Sequence, residues 1–94
     1  MMDVIKVLEK QSGFLRLIVF LSREGEKPLT SILRETNIPV HQLYSSIEKA
    51  KELRLVNTRV DNASYPARSL VSLTDKGKKL SEKINEMMEL ISSD

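Results

Sequence analysis

Cysteine is absent from this chain of 94 residues. Its absence excludes disulfide bonds, zinc sites built on thiolates, and catalytic or redox-active thiols. Aromatic residues are also scarce, with two Phe, two Tyr and no Trp, so the hydrophobic core must consist mainly of Leu, Ile and Val. Glycine occurs only three times, which argues against a loop that cradles nucleotide phosphates through its backbone.

Long apolar runs and targeting signals are missing as well. The longest apolar run, Leu17 to Leu21, is far shorter than the roughly 20 residues that span a membrane. The first residues, MMDVIKVLEK, carry an acid where a signal peptide has its basic region, and they contain no small-residue cleavage site. We therefore expect a cytoplasmic protein with no membrane partner.

The composition that remains predicts a folded domain. Hydrophobic residues make up 40% of the chain and charged residues 30%, with a net charge of +2, so we expect a single domain over residues 1–94. Without cysteine, the one histidine, His41, cannot form a multi-histidine or Cys/His site, so we expect no metal and no cofactor. No nucleophile and base are spaced for catalysis, so we expect no enzyme activity.

Helical spacing of apolar residues recurs through the first half of the chain. It predicts an N-terminal helix over residues 1–11 and a three-helix core over 12–54, although the first two helices can equally be one kinked helix. Ser12 is a candidate N-cap of the second helix and Thr30 of the third. The segment NIP, which ends at Pro39, is typical of a helix end followed by a helix start. A short helix and then a longer one, about 39–54, indicate a helix-turn-helix.

The predicted helix over residues 39–54 has a polar first half. It carries residues of low helix propensity, namely His41, Gln42, Tyr44, Ser45 and Ser46. A helical projection places Leu43, Ile47 and Ala50 on a buried stripe, with help from Val40. His41 and Ser45 then lie outward, flanked by Tyr44 and Gln42, and need a role other than packing or capping. Contact with DNA and a solvated face used for protein contacts both account for them.

Two β-prone runs follow and predict a hairpin over residues 55–74. Residues 56–61 alternate between β-branched and polar side chains, the period of a half-exposed strand. The loop between the runs, NASYPA, contains Pro66, which suits a hairpin loop and not a central strand. A long helix over 75–92, capped by Thr74, completes the chain.

This order of elements resembles the winged helix-turn-helix domain of MarR-like and PadR-like regulators. Residues 38–56 are similar to their recognition helix and to the Leu-Val that begins their wing, although Arg54 stands where they usually have Gly. The segment LTDKGKKL, residues 73–80, is similar to the LTxxGxxL that follows their wing. The resemblance covers residues 14–80. It implies an α+β, mostly α fold with a two-stranded wing and a long C-terminal helix.

The same resemblance implies a sequence-specific transcriptional regulator that binds double-stranded DNA, with the recognition helix in the major groove and the wing on the backbone or minor groove. Arg59 and Arg68 flank the wing loop and are candidates for backbone or minor-groove contacts, while Tyr65 either contacts DNA or covers the hairpin. The candidate DNA-binding residues are Thr30, Pro39, Val40, His41, Gln42, Tyr44, Ser45, Lys49, Arg59, Tyr65 and Arg68.

The final helix extends about 27 Å, longer than the remaining core of so small a domain needs. Its far end is then an exposed apolar patch, so we expect a homodimer that buries it against the same helix or the N-terminal helix of a second copy. The candidate dimerisation residues are Val4, Leu8, Leu80, Ile84, Met87, Met88 and Ile91. A winged-helix protein-interaction module and a non-specific, chromatin-type DNA binder stay open as alternative functions. The sequence specifies neither an operator nor an effector ligand.

Overall fold

The computed structural model describes residues 2–63 and 65–93 of the chain. The elements in this part are five helices and three strands: α1 (Met2–Lys10), α2 (Phe14–Glu24), β1 (Lys27–Pro28), α3 (Leu29–Thr36), α4 (Val40–Glu52), β2 (Val56–Asp61), β3 (Arg68–Leu73) and α5 (Asp75–Ser92). The predicted α+β, mostly helical winged-helix fold with a long C-terminal helix is confirmed.

The sheet is antiparallel, with strand order β1-β3-β2. Strands β2 and β3 form the predicted wing hairpin, and Val56 pairs with Leu73 at its base. Strand β1 adds a short third strand that the sequence did not predict, with Pro28 opposite Leu70. Proline is tolerated there because β1 is an edge strand, where its missing N–H interrupts no ladder of hydrogen bonds.

Two predicted N-caps are wrong. Helices α1 and α2 are separate because Gly13 adopts a left-handed conformation (φ 84°), and Gly13, not Ser12, occupies the N-cap position of α2. Helix α3 begins directly after Pro28, which is extended (φ −65°, ψ 149°). Thr30 therefore lies inside the first turn of α3 and cannot cap it.

Two non-glycine residues adopt left-handed conformations at helix ends, as the C-terminal positions of helices often require. Asn37 closes α3 with φ 59°, which confirms its predicted role. Arg54 follows α4 with φ 60°, at the position where the resembling families carry Gly. A residue other than Gly or Asn is strained in this conformation by roughly 1–2 kcal/mol. Arg54 therefore destabilises the folded state locally, at the end of α4.

The core is aliphatic apart from Phe14, and α2 runs through its centre against α3, α4, α5 and β3. Its residues are Phe14, Leu17, Ile18, Leu21, Ile32, Ile38, Leu43, Ile47, Ala50, Leu55, Val56, Val71, Leu73 and Ile84. The predicted stripe of α4 is buried, but Val40 is 55% exposed because it begins the helix and lies beyond the edge of the core. Thr58 and Val60 are also exposed, since β2 extends away from the core toward the wing loop.

Helix α5 begins in close contact with the base of the wing. The Thr74 hydroxyl accepts a hydrogen bond from the Gly77 N–H at 3.0 Å, and the Thr74 N–H donates to the Leu55 carbonyl at 2.9 Å. A Cβ at Gly77 would overlap that same carbonyl oxygen. The glycine of LTDKGKKL is thus explained by the close approach of α5 to the backbone at Leu55.

Candidate nucleic-acid interface

The N-terminal half of α4 presents an exposed polar face. Pro39 occupies its N-cap position, Tyr44 is 50% exposed, His41 is exposed, and Gln42 and Ser45 are half-buried. In residues 2–63 and 65–93, the side chains of these four polar residues of α4 make no hydrogen bond or ion pair. Their donors and acceptors are therefore available to a partner.

The C-terminal half of α4 is charged but internally balanced. Lys49 Nζ lies 3.1 Å from a carboxylate oxygen of Glu52, and Lys51 Nζ lies 3.9 Å from one of Glu48. Each pair is three residues apart, which places both partners on one side of the helix. The candidate residue Lys49 thus already has a neighbouring carboxylate, so its field toward a phosphate is reduced.

The back of α4 is fixed to the turn between α1 and α2. The Ser46 hydroxyl is fully buried, donates to the Ser12 carbonyl at 3.0 Å and lies 3.4 Å from the Gln11 amide nitrogen that donates to it. The helical projection assigned Ser46 to neither face; this turn covers α4 on that side and buries the hydroxyl. Ile38 packs on the same turn, so tightly that a Cβ at Gly13 would lie 2.7 Å from its side chain.

The two candidate arginines of the wing are both paired with carboxylates. Arg59 donates through Nε and Nη2 to the two oxygens of Glu26, at 3.0 and 2.7 Å. Arg68 Nη2 lies 3.4 Å from Asp61 Oδ2, and the two residues are directly opposite each other in the β2–β3 register. Positive charge near the wing loop is therefore largely compensated.

These contacts change the ionisation of both carboxyl groups. Hydrogen bonding to Arg59 lowers the pKa of Glu26, and the charge of the guanidinium adds to this effect. The pKa of Asp61 is lowered first by the hydrogen bond from the Ala63 N–H and then by Arg68. Both acids are thus ionised at neutral pH, and the hydrogen bond to Glu26 in turn raises the pKa of Arg59.

The wing loop and the start of α3 enclose an open groove of about 580 Å³. Thr30, Tyr65 and Arg68 all line it, so the structure brings together three candidate residues that lie far apart in the sequence. Tyr65 is fully exposed and precedes Pro66 through a cis peptide bond. Tyr65 therefore does not cover the hairpin, and its ring is free to contact a partner.

Sequence reasoning missed two basic residues beside α4. Lys6 and Lys10 of α1 line a shallow groove of about 190 Å³ together with Lys49. Their spacing of four residues places them on one face of α1, and this spacing was the available signal. That they lie next to α4 depends on the turn at Gly13, and the sequence left open whether α1 and α2 are separate or one kinked helix.

The candidate dimerisation residues differ in exposure and form three groups. Val4, Met87 and Ile91 are exposed by 46%, 45% and 73%, whereas Leu8, Leu80 and Met88 are partly buried against the core. Ile84 is 5% exposed and belongs to the core, so its assignment to an interface is wrong: the middle of α5 packs on its own domain. Ile5 and Leu90, which the sequence analysis did not include, are 50% and 76% exposed and extend the two apolar ends.

The described residues form neither a membrane-spanning helix nor a cluster of metal-binding side chains. Each helix in residues 2–63 and 65–93 is too short or too polar to pass through a lipid bilayer. The same two ranges bring no three His, Asp or Glu side chains together in a way that would hold a metal ion.

Comparison with known structures supports the fold. The chain is similar to a transcriptional regulator homologue from Pyrococcus horikoshii OT3, with TM-score 0.74 and 19% identity over 97% of this chain and 94% of that one. The reduced form of the regulator YodB from B. subtilis gives TM-score 0.74 and 22% identity over 95% and 85%. AF1382 from Archaeoglobus fulgidus gives 0.71 and 26% over 96% and 98%. No curated protein matches the sequence.

The family is decided by the sequence match. Residues 11–94 match the model of the HxlR-like helix-turn-helix family, which is distinct from the MarR-like and PadR-like families that the motifs resemble. The match includes α2 to α5 and therefore the helix-turn-helix, the wing and the final helix. The chain belongs to the HxlR-like helix-turn-helix family and is a winged-helix DNA-binding transcriptional regulator.

Proposed function

We propose that the protein binds double-stranded DNA in a sequence-specific way, with α4 in the major groove and the wing on the adjacent backbone or minor groove. The observation that carries this proposal is the face of α4 on which His41, Gln42 and Tyr44 have no partner within the described residues. Low-propensity polar side chains that neither pack nor cap are costly in a helix unless they serve a partner.

The side chains on this face suit base readout. A Gln side chain pairs with adenine through N6 and N7, and a Ser hydroxyl bonds with several base edges. Gln42 and Ser45 are half-buried, so their conformations are restricted before DNA is bound and less entropy is lost on binding. Thr30, Tyr65 and Arg68 line a groove at the other end of the surface, where a DNA backbone passing from α4 to the wing would lie.

Fluorescence anisotropy tests this proposal. Labelled duplexes, one selected from a random pool and one of mixed sequence, are titrated at about 50 and about 200 mM salt, over which phosphate contacts lose affinity steeply. We expect Gln42→Ala to weaken the selected duplex by about 1–3 kcal/mol and to relax the preference at one position. We expect Arg68→Ala to weaken both duplexes alike.

A matched substitution controls for net charge. Lys79→Ala removes one positive charge from an exposed position of α5, and it should leave both affinities nearly unchanged. Equal affinity for all duplexes would indicate a chromatin-type binder. Absence of binding at about 50 mM salt by folded protein would contradict the proposal and favour a protein-interaction module.

We also propose that the protein is a homodimer that acts in the cytoplasm. The apolar residues Val4 and Ile5 of α1 and Met87, Leu90 and Ile91 of α5 are all exposed by 45% or more. Exposed apolar residues grouped at the ends of terminal helices are typical of an interface. A two-fold axis between such helices would present two copies of α4 to half-sites about one DNA turn apart.

Sedimentation equilibrium tests the dimer. We expect twice the chain mass for the wild type at about 50 µM and the mass of one chain for a Leu90→Glu, Ile91→Glu variant, because each buried charge disfavours the interface. Val60→Glu is the matched control, since Val60 is also exposed and apolar (58%) but lies alone on the wing. A wild type that is a monomer at this concentration would contradict the dimer proposal.

A further inference from the structure

The pair between Glu26 and Arg59 has a specific geometry. Glu26 follows Gly25 in the turn before β1, and Arg59 lies on β2, 33 residues later. Its Nε and Nη2 donate to one carboxylate oxygen each, at 3.0 and 2.7 Å. A guanidinium has five N–H donors, so this bidentate contact uses one edge of the group. Within residues 2–63 and 65–93, the edge formed by Nη1 and Nη2 makes no further hydrogen bond.

The pair also crosses the sheet. Both Pro28 of β1 and Arg59 of β2 are opposite Leu70 of the central strand β3, so the turn that carries Glu26 and the Arg59 side chain approach each other across β3. Arg59 remains 60% exposed in the pair, and Glu26 is 34% exposed. The carboxylate therefore holds an exposed guanidinium in a fixed position on the outer face of the wing.

We propose that Glu26 is a specificity-determining residue for DNA: it compensates the charge of Arg59 and presents the free edge of its guanidinium to one position in the DNA. The inference rests on the proposed function. An unpaired arginine attracts phosphates of any sequence, whereas a paired and oriented one contributes at a site that its free edge fits. Glu26 thus lowers binding to random DNA more than binding to the preferred site.

The electrostatic consequence is measurable. Glu26→Gln removes the carboxylate that bonds Arg59 while keeping the size of the side chain. Asp61, whose charge also acts on Arg59, bonds Arg68, so most of the Arg59 charge then becomes available to the DNA backbone. One additional phosphate contact steepens the slope of log K against log salt by about 0.9, which corresponds to about eightfold tighter binding at about 0.1 M salt. We expect this gain on random duplex and a smaller gain on the selected duplex, so the ratio of the two affinities falls.

Glu82→Gln is the matched control for this substitution. Glu82 and Glu26 line a second groove, which lies beside α2, β3 and α5 and is separate from the groove at the wing loop. In residues 2–63 and 65–93, Glu82 makes no ion pair. The control makes the same change in net charge at a neighbouring place. We expect it to alter the salt slope by much less than Glu26→Gln does.

A double-mutant cycle isolates the pair. Glu26→Gln acts by freeing the Arg59 guanidinium, and an Arg59→Gln background lacks that group. In this background, Glu26→Gln should therefore have no further effect on the salt slope or on the ratio of affinities. An effect of Glu26→Gln that equals that of Glu82→Gln, or that persists without Arg59, would overturn the inference while wild-type DNA binding stands. A folded wild type that binds no duplex at about 50 mM salt would overturn the proposed function and this inference with it.

Discussion

Substitution of Gly77 tests the packing that positions the wing against α5. Gly77 is the third residue of α5, and its N–H donates a hydrogen bond of 3.0 Å to the hydroxyl of Thr74, the N-cap of this helix. A Cβ at this position would overlap the Leu55 carbonyl oxygen and would also lie 3.1 Å from the Leu73 side chain. The carbonyl cannot simply move away, because it accepts the Thr74 N–H at 2.9 Å.

The magnitude follows from these contacts. Overpacking of a close contact costs about 2 kcal/mol. Moving the Leu55 carbonyl costs a hydrogen bond worth about 1 kcal/mol, and disturbing the Thr74 cap costs about 1 kcal/mol more. Alanine recovers about 1 kcal/mol of helix propensity. We therefore expect Gly77→Ala to lower the free energy of unfolding by about 3 kcal/mol, which is a Tm decrease of about 15 °C for a domain of this size.

Thermal and urea denaturation followed by circular dichroism measure this change. Lys79→Ala lies in the same helix on its exposed face and should stay within about 0.5 kcal/mol of the wild type. A Gly77→Ala protein that melts within about 3 °C of the wild type would show that α5 can shift without loss and would refute the reasoning.

Three further predictions concern stability. Arg54→Gly should raise the free energy of unfolding by about 0.5–1 kcal/mol, because relief of the left-handed strain exceeds the added freedom of the unfolded chain; urea denaturation measures it, and no gain would contradict the strain at φ 60°. Ser46→Ala should lower it by about 1–2 kcal/mol, since the Ser12 carbonyl loses its hydroxyl donor; a neutral result in the same assay would mean that this contact is dispensable. The lowered pKa values of Glu26 and Asp61 mean that the unfolded state binds more protons as pH falls through their range. The stabilisation is therefore present at neutral pH and lost below about pH 4, and Glu26→Gln should show a smaller loss in a pH series of denaturation curves.

Local patterns in the sequence predicted most of the fold. The alternation in residues 56–61 and the loop around Pro66 predicted the β2–β3 hairpin, because both signals lie within one short segment. The comparison of motifs singled out Arg54, which stands where the resembling families have Gly, and Gly77, which matches their LTxxGxxL. The backbone is constrained at both positions, by a left-handed φ at Arg54 and by close contact with Leu55 at Gly77. Periodicity likewise identified the buried stripe of α4.

Contacts between distant segments could not be predicted in the same way. The Glu26–Arg59 and Ser46–Ser12 contacts join residues 33 and 34 positions apart, and a helical projection shows which side of a helix a residue is on but not which element covers that side. The burial of Ser46 under the turn between α1 and α2 is such a contact. Ile84 was assigned to an interface because its apolar stripe continues to Ile91, although only the far end of that stripe is exposed.

The turn at Gly13 has a geometric consequence for the spacing of a DNA site. Because Ser12 and Gln11 bond to Ser46 and Ile38 packs on Gly13, the C-terminal end of α1 is anchored beside α4. If two copies associate partly through α1, a tilt of α1 about its anchored end changes the distance between the two copies of α4. A rotation of about 10° over the roughly 13 Å of α1 displaces its end by about 2 Å. That displacement is a large part of the roughly 3.4 Å rise of one base pair, so a small tilt between subunits would decide which half-site spacing the pair of recognition helices can span.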